Sequence, residues 1–259
     1  MCLVPEATEP RSYCRAHALG LRVIAVVLIL AVVGFDRLMA SDRGRSFDPV
    51  RSRWRQARPR LIAHIRSAPG TFAYLFVLLV TTWVLQTSSA TIARRLIAER
   101  STNLHQLARD PLRVLFASAF WLTSPGELLL WLVLFGVIVA PVEQWIGTGR
   151  TALVFFVGHI GATLVTAGGL WLAIHSDLVE ASVAHSTDVG ASYGFAAVAA
   201  VLAYRLRGRT RRIYLGGAFV VAALSFAVDY GFTSWGHVSA LLIGFACYPL
   251  VRGRHPALD

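Results

Sequence analysis

The sequence predicts an all-α membrane protein, a bundle of six transmembrane helices with room for one extra N-terminal helix. Three observations predict it. Of 259 residues, 56% are hydrophobic and only 15% are charged, with a positive mean hydropathy; an ordinary soluble domain carries about 25% charged residues. Six segments meet or approach the ~20 apolar residues that a helix needs to cross the hydrocarbon core. The basic residues are all Arg, and they gather mainly in alternate loops, as the positive-inside bias demands of cytoplasmic loops.

The elements follow in chain order. Residues 1–68 read as an Arg-rich N-terminal extension, residues 69–251 as the transmembrane domain, and residues 252–259 as a cytoplasmic tail. Within the extension, a short apolar run at 23–35, flanked by Arg22, Asp36 and Arg37, allows one more helix over 21–40. A cleavable signal peptide is the poorer reading, because the basic segment behind it would then be exported. The six spans are expected at 71–89, 127–142, 152–174, 190–204, 213–228 and 236–251, with the ends of the shorter ones extending into their flanks.

Loop charges set the orientation. Residues 41–66, the turn with Arg205, Arg207, Arg209, Arg211 and Arg212, and the end with Arg252 and Arg254 fall on one side, the cytoplasm. Asp177, Glu180, Asp188 and Asp229 fall on the other. The long first loop, 91–125, holds Arg94, Arg95, Arg100, Arg109 and Arg113 yet must lie outside; a loop of that length is expected to fold into short interfacial helices. The net charge of +11 is accounted for by these Arg-rich loops, so nucleic acid is not expected as a partner. Cys2, Cys14 and Cys247 are spaced for neither a metal site nor a disulfide framework. The expected surroundings are the lipid bilayer of a cell membrane, probed by a multi-pass chain in a bacterial plasma membrane.

In this topology the fourth and sixth spans run in the same direction. Ser192 then lies within the first turn of the fourth, His237 at the start of the sixth, and Glu127 at the start of the second, all at the outer end. Small residues recur every fourth position, at Gly190 and Gly194 on the fourth span and at Gly236, Ala240 and Gly244 on the sixth. Such spacing lets helix backbones approach closely, although Gly and Ala are common in membrane helices for other reasons.

A serine hydroxyl becomes a nucleophile when a neighbouring base takes its proton, and the tetrahedral intermediate needs donors for its oxyanion. The unpaired N–H groups of a helix N-terminus supply some of these. A lone Ser in a membrane helix more often bonds back to the preceding turn, and a lone His near a helix end is often interfacial. Their joint placement is what raises a functional reading. Gly190-Ala191-Ser192-Tyr193-Gly194 also fits G-x-S-x-G, but that elbow requires a strand before the serine and a soluble sheet, and neither is legible here.

Over residues 68–251 the chain resembles the rhomboid family of intramembrane serine proteases. The resemblance rests on six spans, a long first outer loop, Gly190-Ala191-Ser192 opening the fourth span, and His237 with Ala240 and Gly244 opening the sixth. Val142-Glu143-Gln144-Trp145-Ile146-Gly147-Thr148-Gly149-Arg150 is similar to the family's Glu…Gly-Ser-Gly-Lys turn. The stretch Ser101-Thr102-Asn103-Leu104-His105 to Pro111-Leu112-Arg113, with Ser118-Ala119-Phe120-Trp121, looks closest to a divergent actinobacterial branch. Carried over, the resemblance implies Ser192 as nucleophile and His237 as general base, with no metal or organic cofactor.

Three departures from the family pattern fall at four positions. Tyr193 follows the serine where Gly is usual, Glu127 and Trp131 stand at the usual oxyanion positions of the second span, and Ala196 stands where an aromatic usually supports the histidine. Tyr193, Asn103 and His105 are the candidates to supply donors or support. Asp188 is a candidate to orient His237, or equally an N-terminal helix cap. His159, deep in the third span, reads as a packing or helix–helix hydrogen-bonding residue.

Two functions are therefore expected, in order. The first is a membrane-embedded serine protease that cuts a membrane-protein substrate. The alternative is an inactive rhomboid pseudoprotease that binds membrane-protein clients. A transporter ranks third, because the spans hold few charges.

Overall fold

The computed structural model describes residue 37 and residues 48–185, 187–228 and 231–254. The helix expected within 21–40 lies, Arg37 apart, outside the described residues, as do residues 255–259 of the tail. The chain divides into two compact units, residues 1–64 and 65–259. In the first, the described residues other than Arg37 belong to α1 (Asp48–Ser67), which is polar, carries Pro59 in its interior and is mostly exposed up to His64.

The second unit is helical throughout its described elements. Helix α2 (Pro69–Thr87) starts on a proline, whose missing N–H costs nothing in the first turn. The first loop folds, as expected, into short helices: α3 (Ala90–Arg100), α4 (Leu104–Arg109) and α5 (Pro111–Ala117). Ser89, Asn103 and Asp110 cap them, each side chain accepting a first-turn N–H.

Helix α6 (Pro125–Ile146) is wound as a π-helix over Phe135–Val139. Pro141 stands just after that turn and has no N–H to offer the carbonyl four residues back, which accounts for the wider winding there. Gly147, with φ 87°, ends the helix in a conformation that suits glycine, and α7 (Thr148–His175) begins at once. Helices α8 (Ser192–Leu202), α9 (Gly208–Val228) and α10 (Phe232–Ala246) complete the bundle.

Among the described residues, α2, α6 and α7 are long and apolar enough to cross a membrane, whereas α8 and α10 are shorter apolar helices. At 11 residues, α8 is about 16 Å long, well short of a ~30 Å hydrocarbon core. Its position explains how that is tolerated. Helices α7, α8 and α10 pack mutually, and eight of the residues of α8 are buried, so its ends meet protein rather than lipid.

The core has two parts. Tyr74 of α2 stacks on Phe135 of α6 at 5.1 Å and meets Phe155 of α7 edge-on at 5.0 Å. The other part is the close contact of α8 with its two neighbours. A Cβ at Gly158 on α7 would strike the Cβ of Ala197, and one at Gly244 on α10 would strike the Ala197 backbone. Ala197 thus sits where three helices approach without side chains between them. The outward faces remain apolar, with Phe76, Leu129, Val133, Leu172 and Phe219 exposed, as suits a lipid solvent.

Candidate active site

The site is built on the turn that enters α8. The Asp188 N–H donates to Ser101 Oγ at 2.7 Å, and the Asp188 carbonyl accepts from the Thr102 N–H and hydroxyl, both at 2.9 Å. The Gly190 N–H donates to the Ser118 carbonyl at 3.0 Å. The first loop therefore clasps the entry to α8 at two points. Gly190 has φ 141°, a value that L side chains rarely adopt, so the turn needs glycine there. After it, the Phe195 N–H makes the first intrahelical bond, to Ala191. The N–H groups of Ser192, Tyr193 and Gly194 precede that bond and belong to the unpaired first turn.

Ser192 is half-buried on that turn and Tyr193 is buried. The Tyr193 hydroxyl lies 3.3 Å from Asp188 Oδ2, and its ring meets the His237 imidazole edge-on, centroids 5.1 Å apart at 73°. The tyrosine fits because Gly236 has no side chain; a Cβ there would collide with the phenol. Gly236 faces Tyr193, and Gly244, two turns further along α10, faces Ala197, one turn further along α8. The two helices therefore run parallel, and Ser192 and His237 come to the same end of the bundle. Among the described residues no hydrogen bond joins them; the Tyr193 ring of α8 lies against the imidazole.

Asp188 is partly buried, and burial pushes its carboxyl above the usual carboxylate range. Hydrogen bonds from Thr102 and Tyr193 and the charge of His237 act the other way. The Thr102 hydroxyl is 3.2 Å from Asp188 Oδ2.

The other residues singled out from sequence are placed as follows. Gly236, Ala240 and Gly244 are buried on α10, and Gly236 and Gly244 form its close contact with α8. On α8 the matching surface is Tyr193 and Ala197. Gly194 instead meets the Phe155 ring of α7, and Gly190 lies outside the helix with open space beside it. Asn103 is buried, and its Oδ1 caps α4 by accepting the Gln106 N–H at 2.9 Å. His105 is exposed on α4. The Glu127 carboxylate is occupied at the start of its own helix, where it accepts the Thr123 N–H at 3.2 Å and the Thr123 hydroxyl. Trp131 packs edge-on against Phe195 at 5.3 Å and Phe135 at 5.9 Å.

Ser101, Thr102 and Ser118 hold the site together although no motif in the sequence singles out their role. The signal available for them was position: Ser101 and Thr102 precede the Asn103 cap, and Ser118 opens Ser118-Ala119-Phe120-Trp121. Ser118 also pairs with His159, Oγ to Nε2 3.0 Å, in a site where the serine is fully buried and the histidine 2% exposed. Ser118→Ala should cost about 1–3 kcal/mol of stability by leaving that nitrogen unpaired. Combining it with His159→Phe should recover most of the loss, as read by thermal unfolding in detergent.

The profile of the rhomboid-like protein family matches residues 63–257. The chain belongs to this family. No curated protein and no solved structure matches it. The membership makes the rhomboid-like protein a helical membrane protein of rhomboid-like bundle fold. Its Glu143 turn joins three helices, with the carboxylate accepting from Gly70 and Thr71 at the start of α2 and from Thr148 at the start of α7.

Proposed function

We propose that this rhomboid-like protein is an intramembrane serine protease that cuts peptide bonds of membrane-protein substrates near the outer face of a bacterial plasma membrane. The observation that carries the reading is the parallel packing of α8 on α10, which puts Ser192 and His237 at one end of a close helix pair. Ser192 Oγ attacks the substrate carbonyl while His237 takes its proton, and the N–H groups of the first turn of α8 receive the oxyanion. The imidazolium then gives its proton to the leaving amine, and water, deprotonated by His237, releases the acyl group from Ser192. Tyr193 supports the imidazole from its edge. Of the two first-loop candidates for an oxyanion donor, His105 is exposed, whereas Asn103 is buried with its Oδ1 capping α4.

A second reading, an inactive pseudoprotease that binds membrane-protein clients, is favoured by a specific observation. No hydrogen bond joins Ser192 to His237 among the described residues, the Tyr193 ring lies against the imidazole, and Glu127 and Trp131 are engaged elsewhere. One experiment separates the two. Purified wild type, Ser192→Ala and His237→Ala are treated with an alkyl fluorophosphonate in micelles. The protease reading expects labelling of wild type and at least a hundredfold slower labelling of both variants, in line with the 10²–10⁴-fold worth of a general base. Equal labelling of Ser192→Ala, or none of folded wild type, sinks it and leaves the client-binding reading.

A further inference from the structure

The clasp at the entry to α8 does more than hold a loop. Its backbone half, Ser101 and Thr102 on the Asp188 N–H and carbonyl, would be complete with any residue at 188. The carboxyl is a separate investment. It is drawn out of water, where an ionised group is costly unless paired. Its Oδ2 has the Thr102 hydroxyl at 3.2 Å and the Tyr193 hydroxyl at 3.3 Å, and the Tyr193 ring lies edge-on against His237. The single Thr102 proton lies nearer the Asp188 carbonyl at 2.9 Å, and the Tyr193 hydroxyl is neutral, so neither answers the charge.

We propose that Asp188 is the acidic partner of His237, a positioning residue that acts on the imidazole by its charge and through Tyr193, and that the first loop holds it in place. The inference rests on the Ser192–His237 reading of the site and adds a third, charged member to it. An anion beside a general base stabilises the imidazolium that forms when the serine is deprotonated. Because Ser101 and Thr102 fix Asp188, the geometry of the first loop becomes a determinant of how well the base works. Among the described residues, Tyr193 is the titratable group whose ring meets His237, with Asp188 behind it on the Tyr193 hydroxyl. From α7, His159 faces Tyr193 instead. The electrostatic influence of Asp188 and His237 on each other is consistent with the pairing.

The test reads the histidine directly. Full-length protein labelled with ¹³C-histidine is titrated by NMR in micelles, and the His237 signal is assigned by its loss in His237→Gln. Asp188→Asn keeps the shape and removes the charge. The titration midpoint of His237 should move to lower pH by about half a unit or more. Thr102→Val keeps the charge and should move it less. An unchanged midpoint in folded Asp188→Asn overturns the proposal. Should Asp188→Asn not fold, the reciprocal measurement replaces it. With ¹³C-aspartate, His237→Gln should raise the Asp188 midpoint, and no change there overturns the proposal equally. Fluorophosphonate labelling is run beside the titration. If the midpoint moves but wild type is not labelled, the protease reading fails and the pairing stands. If wild type is labelled and Asp188→Asn labels as fast at every pH, the positioning role fails and the protease reading stands.

Discussion

Gly244→Val should unfold the bundle or leave it severely destabilised. At this position a Cβ would meet the Ala197 carbonyl oxygen and lie 2.7 Å from its Cα and 2.8 Å from its carbonyl carbon. These are backbone atoms of a buried helix, held from the other side by Gly158 of α7. They have nowhere to move without parting α7, α8 and α10, so a rotamer change gives no relief. Overpacking that side chains can absorb costs about 1–3 kcal/mol; here the expected loss is above about 3 kcal/mol. Gly217→Ala on α9 is the matched control, because open space surrounds that glycine. It should be neutral or stabilising, since alanine is the better helix former by up to about 1 kcal/mol. Thermal unfolding of both variants in one detergent makes the comparison. Similar midpoints for the two would show that α10 does not depend on its contact with Ala197.

That contact also marks where the sequence stops being legible. The small residues of α10 could be read from their spacing, because a four-residue period fixes one helix face. Their partners could not. Gly194 has the same spacing from Gly190 but points at Phe155, and the surface facing Gly244 belongs to Ala197. Spacing orders residues on one helix and says nothing of how the next is rotated. Helix ends behaved similarly. The fourth span, expected from Gly190, begins at Ser192, because Gly190 at φ 141° shapes the entry turn instead. The π turn of α6 and the shortness of α8 depend on neighbours that supply or shield backbone groups, and no periodicity encodes those. The common level of Ser192 and His237 was legible because topology alone brings their helix starts to one end. The clasp of Ser101 and Thr102 on Asp188 joins residues 86 and 87 positions apart, so it emerges only from the folded chain.

Glu143→Ala should be the most damaging change outside the α7, α8 and α10 contact. Its two carboxylate oxygens each serve two donors. Oε1 accepts from the Gly70 N–H at 2.8 Å and the Thr148 hydroxyl at 2.7 Å. Oε2 accepts from the Thr71 N–H at 2.7 Å and the Thr71 hydroxyl at 2.6 Å. The residue is 3% exposed. It also lies in the last turn of its own helix, where the backbone dipole disfavours an anion. The start of α2 reverses that balance with the first-turn N–H groups of Gly70 and Thr71, and the start of α7 adds the Thr148 hydroxyl. The carboxylate is thus a joint between three helix ends, and Gly70 must stay small: a Cβ there would sit 2.5 Å from Thr148 Cγ2 and 3.1 Å from Oε1. Alanine leaves two N–H groups and two hydroxyls without their acceptor, those of Thr71 in a buried site and those of Gly70 and Thr148 nearer the surface. With each hydrogen bond to a charged group worth about 1.5–3 kcal/mol, the loss should reach about 3–5 kcal/mol. Glu143→Gln keeps the shape and one acceptor oxygen but turns an amide N–H₂ toward two donors, so it should fall between alanine and wild type. Unfolding in micelles should rank wild type above glutamine and glutamine above alanine. Glutamine as stable as wild type would mean that shape, and not the charge, joins the three helices.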